Sequence, residues 1–575
     1  MENDLLQFGA KVASSKYLKL CAEAENNKPW LEQYDAYGKR IDIIHTSEGW
    51  KYFKAQAALE KLVSIAYKNS DKSSPDYNPN SRLHQIVKLM LFSASSALVS
   101  CPLSMTDGAA FTIRQLKRSQ SKYYSEELAQ AYESLTSTDP RKMWTSGQWM
   151  TEKRGGSDVS AGTDTVAIEN KETNQCQLYG YKWFTSAVDS EMTLALARFP
   201  DSEQEIETNQ GKLGLVFLKI RDKKGDLNKI QVVRLKDKLG TRQLPTAELI
   251  LKGTIGTRIS DIGKGVNMIS NMLNITRIHN ALCSLGYMRR MSALANDYKD
   301  RRVAFGQKLV EHQLHLNVIA KFEKTYRGNL LILLETVLLL QQQDHENYAN
   351  KDKLRLLTSI LKLFTAKDSI AVASEGIESF GGLGYMENTR IPQILRDAQV
   401  LSIWEGTTNI LSLDFLKDLM KQYSTKRQIL LDLLHYDTNT KLDSIKTKEQ
   451  VNSLLQYRER FIQSLDKLFT SKDVAYIKSQ ARTIAFKQTL QFLIYYSFAF
   501  LFVPFVFLKR VMPVHSKDAA EIEVFNFWIQ RLLKEYQDPI DEISQNHLYQ
   551  RDLKLLKGPS YGKDVNDIFQ PRQKL

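Results

Sequence analysis

The chain has 575 residues, too many for one hydrophobic core, so about three or four domains are expected. Its composition, 43% hydrophobic and 25% charged with 27 glycines and 13 prolines, is that of an ordinary globular protein and excludes a fibrous or wholly disordered one. The 79 Lys and Arg against 65 Asp and Glu leave +14, dispersed along the chain; this suits a phosphate-bearing partner such as nucleic acid, an anionic membrane surface, a nucleotide cofactor or a CoA tail, and equally a solvated basic surface.

The first residues, MENDLLQFGAKVASSKYLKL, lack an apolar signal core, and Glu2 and Asp4 argue against a mitochondrial presequence. Cys21, Cys101, Cys176 and Cys283 lie far apart and form no CxxC pair, so neither a disulfide framework nor a zinc cluster is expected. The terminal Gln573-Lys574-Leu575 only approximates the peroxisomal address S-K-L. An intracellular protein is expected, with cytoplasm, peroxisome and mitochondrion all open.

Residues 1–142 read as helical. Trp30, Tyr34, Tyr37 and Ile41 recur at helical spacing, the stretch 84–99 is a good helix former with an apolar face, and 69–81 reads as a loop. Residues 143–262 change texture. Runs rich in β-branched and aromatic residues at 178–184, 192–199, 214–220, 230–235 and 247–251 are separated by Gly, Asn, Asp and Lys clusters, as in an antiparallel β-domain. Within 263–420 the helical period returns, with Met268, Met272, Ile275, Ile278, Leu282 and Leu285 on one face. Residues 421–575 read as a helical extension containing an uncharged run at 488–508, flanked by Lys487 and by Lys509-Arg510. That run is read as a buried helix kinked or ended at Pro504, with membrane contact as the alternative. Helices, then strands, then helices make an α+β multidomain chain and not a βαβ sheet.

Common catalytic motifs are missing: there is no GxxxxGK[ST], HExxH, GxSxG or strand-to-helix GxGxxG. His312 and His315 beside Glu311 lack a second half for a metal site, and no metal is expected. Three segments are informative. Trp149 to Val159 (WMTEKRGGSDV) holds a Gly-Gly-Ser turn able to aim backbone N–H groups and a hydroxyl at a pyrophosphate. Lys182-Trp183-Phe184-Thr185-Ser186 places aromatic rings and hydroxyls at a strand end. Farther on come Phe380-Gly381-Gly382-Leu383-Gly384-Tyr385, Arg396-Asp397 and Ile403-Trp404-Glu405-Gly406-Thr407-Thr408-Asn409. Each alone is a turn; their order around a β-domain is specific.

As a set these motifs resemble the acyl-CoA dehydrogenase family, most closely its AidB-like branch. Thr151 to Asp158 is similar to the family's TEP-x-AGSD element, Trp183-Phe184-Thr185 to W-I-T, Arg302 through His312-Gln313 to R-x-x-FG-x-x-L-x-x-HQ, and Trp404-Glu405-Gly406-Thr407 to YEGT. The resemblance covers about residues 30–420. It implies an all-α domain, a β-domain and a four-helix domain, with FAD between the last two.

Carried over by position, Thr151 and Thr185 would hydrogen-bond the isoalloxazine, with Thr185 beside the nitrogen that takes hydride and Trp183 packed by the ring, and Met150 would also bind the cofactor. Gly156 and Ser157 would hold the pyrophosphate. Arg302, Gln313, Gly381 and Gly382 would reach the FAD of a neighbouring subunit, implying at least a dimer and typically a dimer of dimers. Thr407 and Asn409 would contact the nucleotide portion. Glu405 would be the base that takes the α-proton of an acyl-CoA, and Arg277 would sit near the acyl end. Some relatives carry their base beside that arginine, but Thr276 stands there in this chain. Two departures are Glu378, where many relatives have Gln, and Lys153-Arg154, which adds charge near the phosphates. The resemblance also implies an electron acceptor, whose identity is open. A nucleic-acid-binding, protective flavoprotein is the alternative function; against it, the Lys and Arg of 421–575 are interleaved with acids.

Overall fold

The computed structural model describes residues 1–170, 172–208, 210–343, 350–433, 445–470, 474–489 and 519–535. The chain divides into two units, Met1–Leu411 and Ser412–Leu575. The division falls inside the helix Thr408–Met420, ahead of the 420/421 boundary expected from the sequence.

The first unit opens with the helices α1 (Glu2–Val12), α2 (Ser15–Asn26), α3 (Glu48–Leu59), α4 (Ile65–Lys68), α5 (Ser81–Ser93), α6 (Ser100–Arg118) and α7 (Glu126–Leu135). Several start where a serine can satisfy an otherwise orphaned N–H: Ser14, Ser47 and Ser125 accept from Tyr17, Trp50 and Leu128. One stretch departs from the helical reading. Residues 30–45 form an antiparallel hairpin, β1 (Trp30–Tyr34) and β2 (Arg40–His45). Asp35 accepts from the N–H groups of Tyr37 and Lys39, and Gly38 takes φ +80°, so the chain reverses where a helix would have continued. The aromatic residues that suggested a helix are largely outside: Trp30 stacks on His45, and Tyr37 is 96% exposed.

The middle of the unit is a sheet of β3 (Ser146–Trp149), β4 (Val166–Glu169), β5 (Gln175–Ser186), β6 (Met192–Phe199), β7 (Lys212–Lys219), β8 (Ile230–Leu235) and β9 (Thr246–Arg258), with the short helices α8 (Val159–Gly162) and α9 (Glu203–Glu207) in its connections. Pairing runs in a closed circuit, β6–β7–β9–β5–β4–β6, with β3 added to β6 and β8 to β9. Most pairs are antiparallel as expected, but β3–β6 and β4–β6 are parallel. Intervening strands separate each parallel pair in sequence, which gives the chain length to return in the same direction. Trp149, Leu178, Phe199, Val216, Val232 and Leu249 belong to the barrel core. The hairpin seats on β8: Asp42 accepts from Val232 N–H, while Arg40 and Gln33 donate to Val232 O. Polar side chains thus occupy strand groups of β8.

After the barrel come α10 (Gly265–Arg301), the hairpin β10–β11 (Val303–Ala304 and Gln307–Lys308), α11 (Gln313–Gln342), α12 (Lys351–Ser379), α13 (Ile391–Leu401) and α14 (Thr408–Met420). The 37-residue α10 packs against α5, α6, α11, α12 and α13. It comes close to α6 because Gly108 has no side chain; a Cβ there would lie 2.6 Å from Met272 Cγ.

The second unit contains α15 (Tyr423–Leu433), α16 (Ile445–Thr470), α17 (Val474–Ser479) and the helix Ala519–Glu535. Asp466 of α16 accepts from both Tyr423 and Arg427 of α15. Among the described residues no helix is long and apolar enough to cross a membrane. Nearly all of the uncharged run at 488–508 lies outside the described residues.

Candidate active site

A cavity of about 580 Å³ opens within the first unit, where the barrel meets α6, α10 and α13. The base candidate is placed by the end of a helix. α13 stops at Leu401, whose carbonyl accepts from Asn280 of α10. A continuing helix would have used that carbonyl for the Glu405 N–H. Instead Glu405 turns to φ +58°, and its N–H has no hydrogen-bond partner among the described residues. The side chain points back to α10, where Thr276 Oγ1 donates to Glu405 Oε2 at 2.7 Å. Burial raises the Glu405 carboxyl pKa; the hydroxyl of Thr276, the charges of Arg277 and Lys362, and Gln148 all work against that rise. A carboxylate made more basic than usual yet held in one orientation is what a general base needs.

Arg277 lines the same cavity one position after Thr276 and donates to Ser359 of α12 at 3.4 Å. Met150, Thr151, Gly156, Ser157 and Thr407 line it as well. The Gly-Gly-Ser turn is shaped by its two glycines differently. A Cβ on Gly155 would meet Gly162 Cα at 2.6 Å, so this residue closes the loop on α8; a Cβ on Gly156 would meet nothing nearer than Thr151 Cγ2 at 3.8 Å. Gly156 and Ser157 are exposed, leaving their backbone open to an incoming phosphate. The turn is anchored from beneath by Glu152, 2% exposed, which accepts from Asp164 N–H, Thr165 and the buried Lys182 Nζ at 2.6 Å.

Two carried-over positions land differently. Thr185 has no accessible surface, and its hydroxyl donates to Ala247 O at 2.6 Å. Trp183 is half-buried beneath Lys236, whose Nζ lies 3.3 Å from the ring centroid, and donates its backbone N–H to Thr151 O. The cavity wall is formed instead by Phe184 and Ser186. The cause is an irregular register between β5 and β9 at residues 182–185, which shifts the side chains that face each side. The motif therefore joins Trp183 to Thr151 through the backbone, and this part of β5 meets the cavity through its neighbours.

A second group stands apart. Arg302, Gln313, Gly381 and Gly382 are exposed and line no part of this cavity. Tyr298, one turn before Arg302, packs its ring on Phe380 at 4.9 Å, which brings the end of α10 beside the two glycines. Phe305, at φ +51° in the intervening hairpin, is 96% exposed, and Leu314 is 82% exposed. Asn409 is exposed at the start of α14. His312 stands at the N-terminal boundary of α11 and its ring bonds Ala304 O, and among the described residues no group of His, Cys, Asp and Glu is placed to hold a metal ion.

Two further residues that build the site were given no role in the sequence. Asp397 is buried and accepts from Thr241 N–H at 2.6 Å and from Gln393, pressing the 237–244 loop onto α13; burial pushes its pKa up to about 6. Lys362 has no accessible surface and donates to Gly406 O at 2.6 Å. Its signal in the sequence is a lysine inside the apolar run Ile360-Leu361-Lys362-Leu363-Phe364, since a charge in such a run is seldom buried without a task.

Two helical groups flanking a β-barrel, with a carboxylate-bearing cavity where they meet, are the arrangement of the acyl-CoA dehydrogenase fold. The family descriptions agree segment by segment. The adaptive response protein AidB N-terminal domain matches residues 1–134, the acyl-CoA dehydrogenase middle domain 147–254, and the acyl-CoA dehydrogenase C-terminal domain 263–420. Acyl-CoA dehydrogenase family member 11 of Caenorhabditis elegans is 47% identical over 495 residues, 84% of this chain and 77% of that protein. The putative acyl-CoA dehydrogenase AidB of Escherichia coli is 30% identical over 422 residues, 73% of this chain and 74% of that protein. Among solved structures, C. elegans ACDH-11 in complex with C11-CoA is similar with a TM-score of 0.84 at 40% identity, covering 97% of this chain and 91% of that one. The chain belongs to the acyl-CoA dehydrogenase family, a family of FAD-dependent oxidoreductases.

Proposed function

We propose that this protein oxidises an acyl-CoA thioester to its α,β-unsaturated product, with Glu405 taking the α-proton. The observation that carries the reading is the Glu405 turn, which lines the cavity with a carboxylate of raised pKa and a backbone N–H that has no partner among the described residues. The carboxylate accepts the proton on the oxygen not held by Thr276. The N–H donates to the thioester oxygen, where negative charge grows as the proton leaves. Thr276 holds the base, and Arg277 lines the cavity toward the acyl end. The open Gly156-Ser157 backbone, with Thr151 and Thr407 on the same wall, fits FAD with its pyrophosphate at the turn. When bound there, FAD supplies the hydride acceptor for the β-carbon.

The acyl-CoA class is supported by the relative whose structure holds C11-CoA. The exposed set Arg302, Gln313, Gly381 and Gly382 suits contact with the FAD of a second copy, giving a dimer at minimum and a dimer of dimers by analogy with the family. An electron acceptor then regenerates the flavin. A panel of saturated acyl-CoAs mixed anaerobically with the FAD-loaded protein tests the reading. At least one should bleach the flavin's visible absorbance and yield the 2-enoyl-CoA; absence of bleaching across the panel would overturn it.

A further inference from the structure

The mechanism above leaves the buried Lys362, beside the base, without a task. Lys362 lies in the middle of α12 with no accessible surface, and its Nζ donates to the carbonyl of Gly406, the residue after the base. Glu405 and Gly406 both take left-handed φ, +58° and +100°. That conformation is strained for glutamate though not for glycine, and a contact on the turn from a neighbouring helix helps to hold it. Lys362 supplies that contact. Its Nζ makes no ion pair with the Glu405 carboxylate among the described residues, so it does not occupy the oxygen that Thr276 leaves for a substrate proton.

The charge acts at the same time. Burial drives Lys362 down to about 7; Glu405 opposes this and Arg277 adds to it. The groups facing Glu405 are Arg277 and the Thr276 hydroxyl from α10, Lys362 from α12, Gln148 from β3 and the buried Cys101 thiol from α6. Of these, Arg277 and Lys362 alone bring positive charge. We propose that Lys362 is the positioning residue of the base: it pins the Glu405–Gly406 turn through Gly406 O and supplies charge that keeps the carboxylate ionised inside the cavity. The inference rests on the proton-abstraction reading given above.

The sign of the expected effect is fixed by which form of Glu405 works. Flavin reduction needs the carboxylate, so the rate falls as pH drops through the Glu405 pKa. Removing a nearby positive charge raises that pKa and moves the acid limb to higher pH. The experiment compares wild type, Lys362→Met, Lys362→Gln and Lys362→Arg as FAD-loaded proteins, using C11-CoA as the probe and recording flavin reduction from pH 5 to 9, a range set by about two units either side of neutrality. Lys362→Met and Lys362→Gln should shift the acid limb upward by about one unit, which is about tenfold in rate on that limb, while half-saturation by C11-CoA changes little. Lys362→Arg should return the limb toward wild type even where its rate is lower.

A Met or Gln variant that holds FAD and keeps the wild-type acid limb would overturn the proposal. Loss of FAD by both would make Lys362 part of the scaffold and overturn it as well. A wild type that C11-CoA and the acyl-CoA panel fail to bleach would instead remove the reading beneath it, and Glu405→Gln, measured alongside, separates these two failures.

Discussion

Lys182 and Glu152 illustrate how a surface turn depends on charge buried below it. Lys182 Nζ is inaccessible and reaches Glu152 at 2.6 Å and Leu196 O at 3.0 Å, while Glu152 also gathers the 164–165 backbone. Desolvation pulls the lysine pKa down and Glu152 opposes that pull. Lys182→Met would leave Glu152 buried without its cation, and removal of one partner from such a pair typically costs about 3–5 kcal/mol. Chemical denaturation should read that loss, and a double variant with Glu152→Gln should regain part of it. A single variant as stable as wild type would mean that the pair does not anchor the turn. The Lys182–Glu152 link was not legible beforehand, because the family motif calls attention to the glycines and hydroxyls above. Thr185 shows the converse: its motif position was clear, but the register irregularity between β5 and β9, and its hydroxyl's bond to Ala247 O, were not legible.

Elements were legible where periodicity and burial coincide. The five expected strands match the observed β5 to β9, with 214–220 running one residue past β7, because the core of a barrel demands alternating apolar residues. The short β3 and β4 were missed, having four residues each. The β1–β2 hairpin was misread because its aromatic residues lie on an exposed surface, where packing imposes no period, and the Asp35 to Gly38 turn was the stronger signal. Contacts between elements were hardest to read, and the Asp397 clamp of α13 onto the 237–244 loop is one. Asp397 has a folded pKa of about 6, above the ordinary carboxylate value of 3.8. The folded state therefore holds this proton more tightly, so the group's contribution is fully present below about pH 4 and is lost as pH rises through about 6. Asp397→Asn keeps an acceptor for Thr241 N–H but cannot titrate. Its stability, followed by denaturant unfolding at several pH values, should lack the part of the decline between about pH 4 and 6 that wild type shows. Parallel curves for the two proteins would contradict the buried-proton account.

For the whole molecule, the exposed group around Arg302 is the feature a single chain does not use. If a second copy brings its FAD there, Arg302→Ala should lower FAD content and weaken self-association together. Loss of a charge-assisted contact typically costs about 1.5–3 kcal/mol, or about 10- to 100-fold in affinity. Light scattering and flavin absorbance on the same samples would read both, and a monomeric wild type with full FAD would rule out a shared site. The net charge of +14 bears on the nucleic-acid alternative. Dispersed charge predicts weak, sequence-indifferent DNA binding that falls steeply with salt.

The claim on which all of this turns is that Glu405 is the base. Its carboxylate is set in the cavity by Thr276, and α10 offers no carboxylate in place of that threonine. Glu405→Gln is nearly isosteric, retains an acceptor for Thr276 and cannot take the α-proton. The direct measurement is anaerobic stopped-flow bleaching of the FAD-loaded wild type and of Glu405→Gln by the same acyl-CoA. The variant should hold FAD yet reduce it at least about 10²–10⁴-fold more slowly, the usual worth of a general base. Equal bleaching rates in the two proteins would contradict the account.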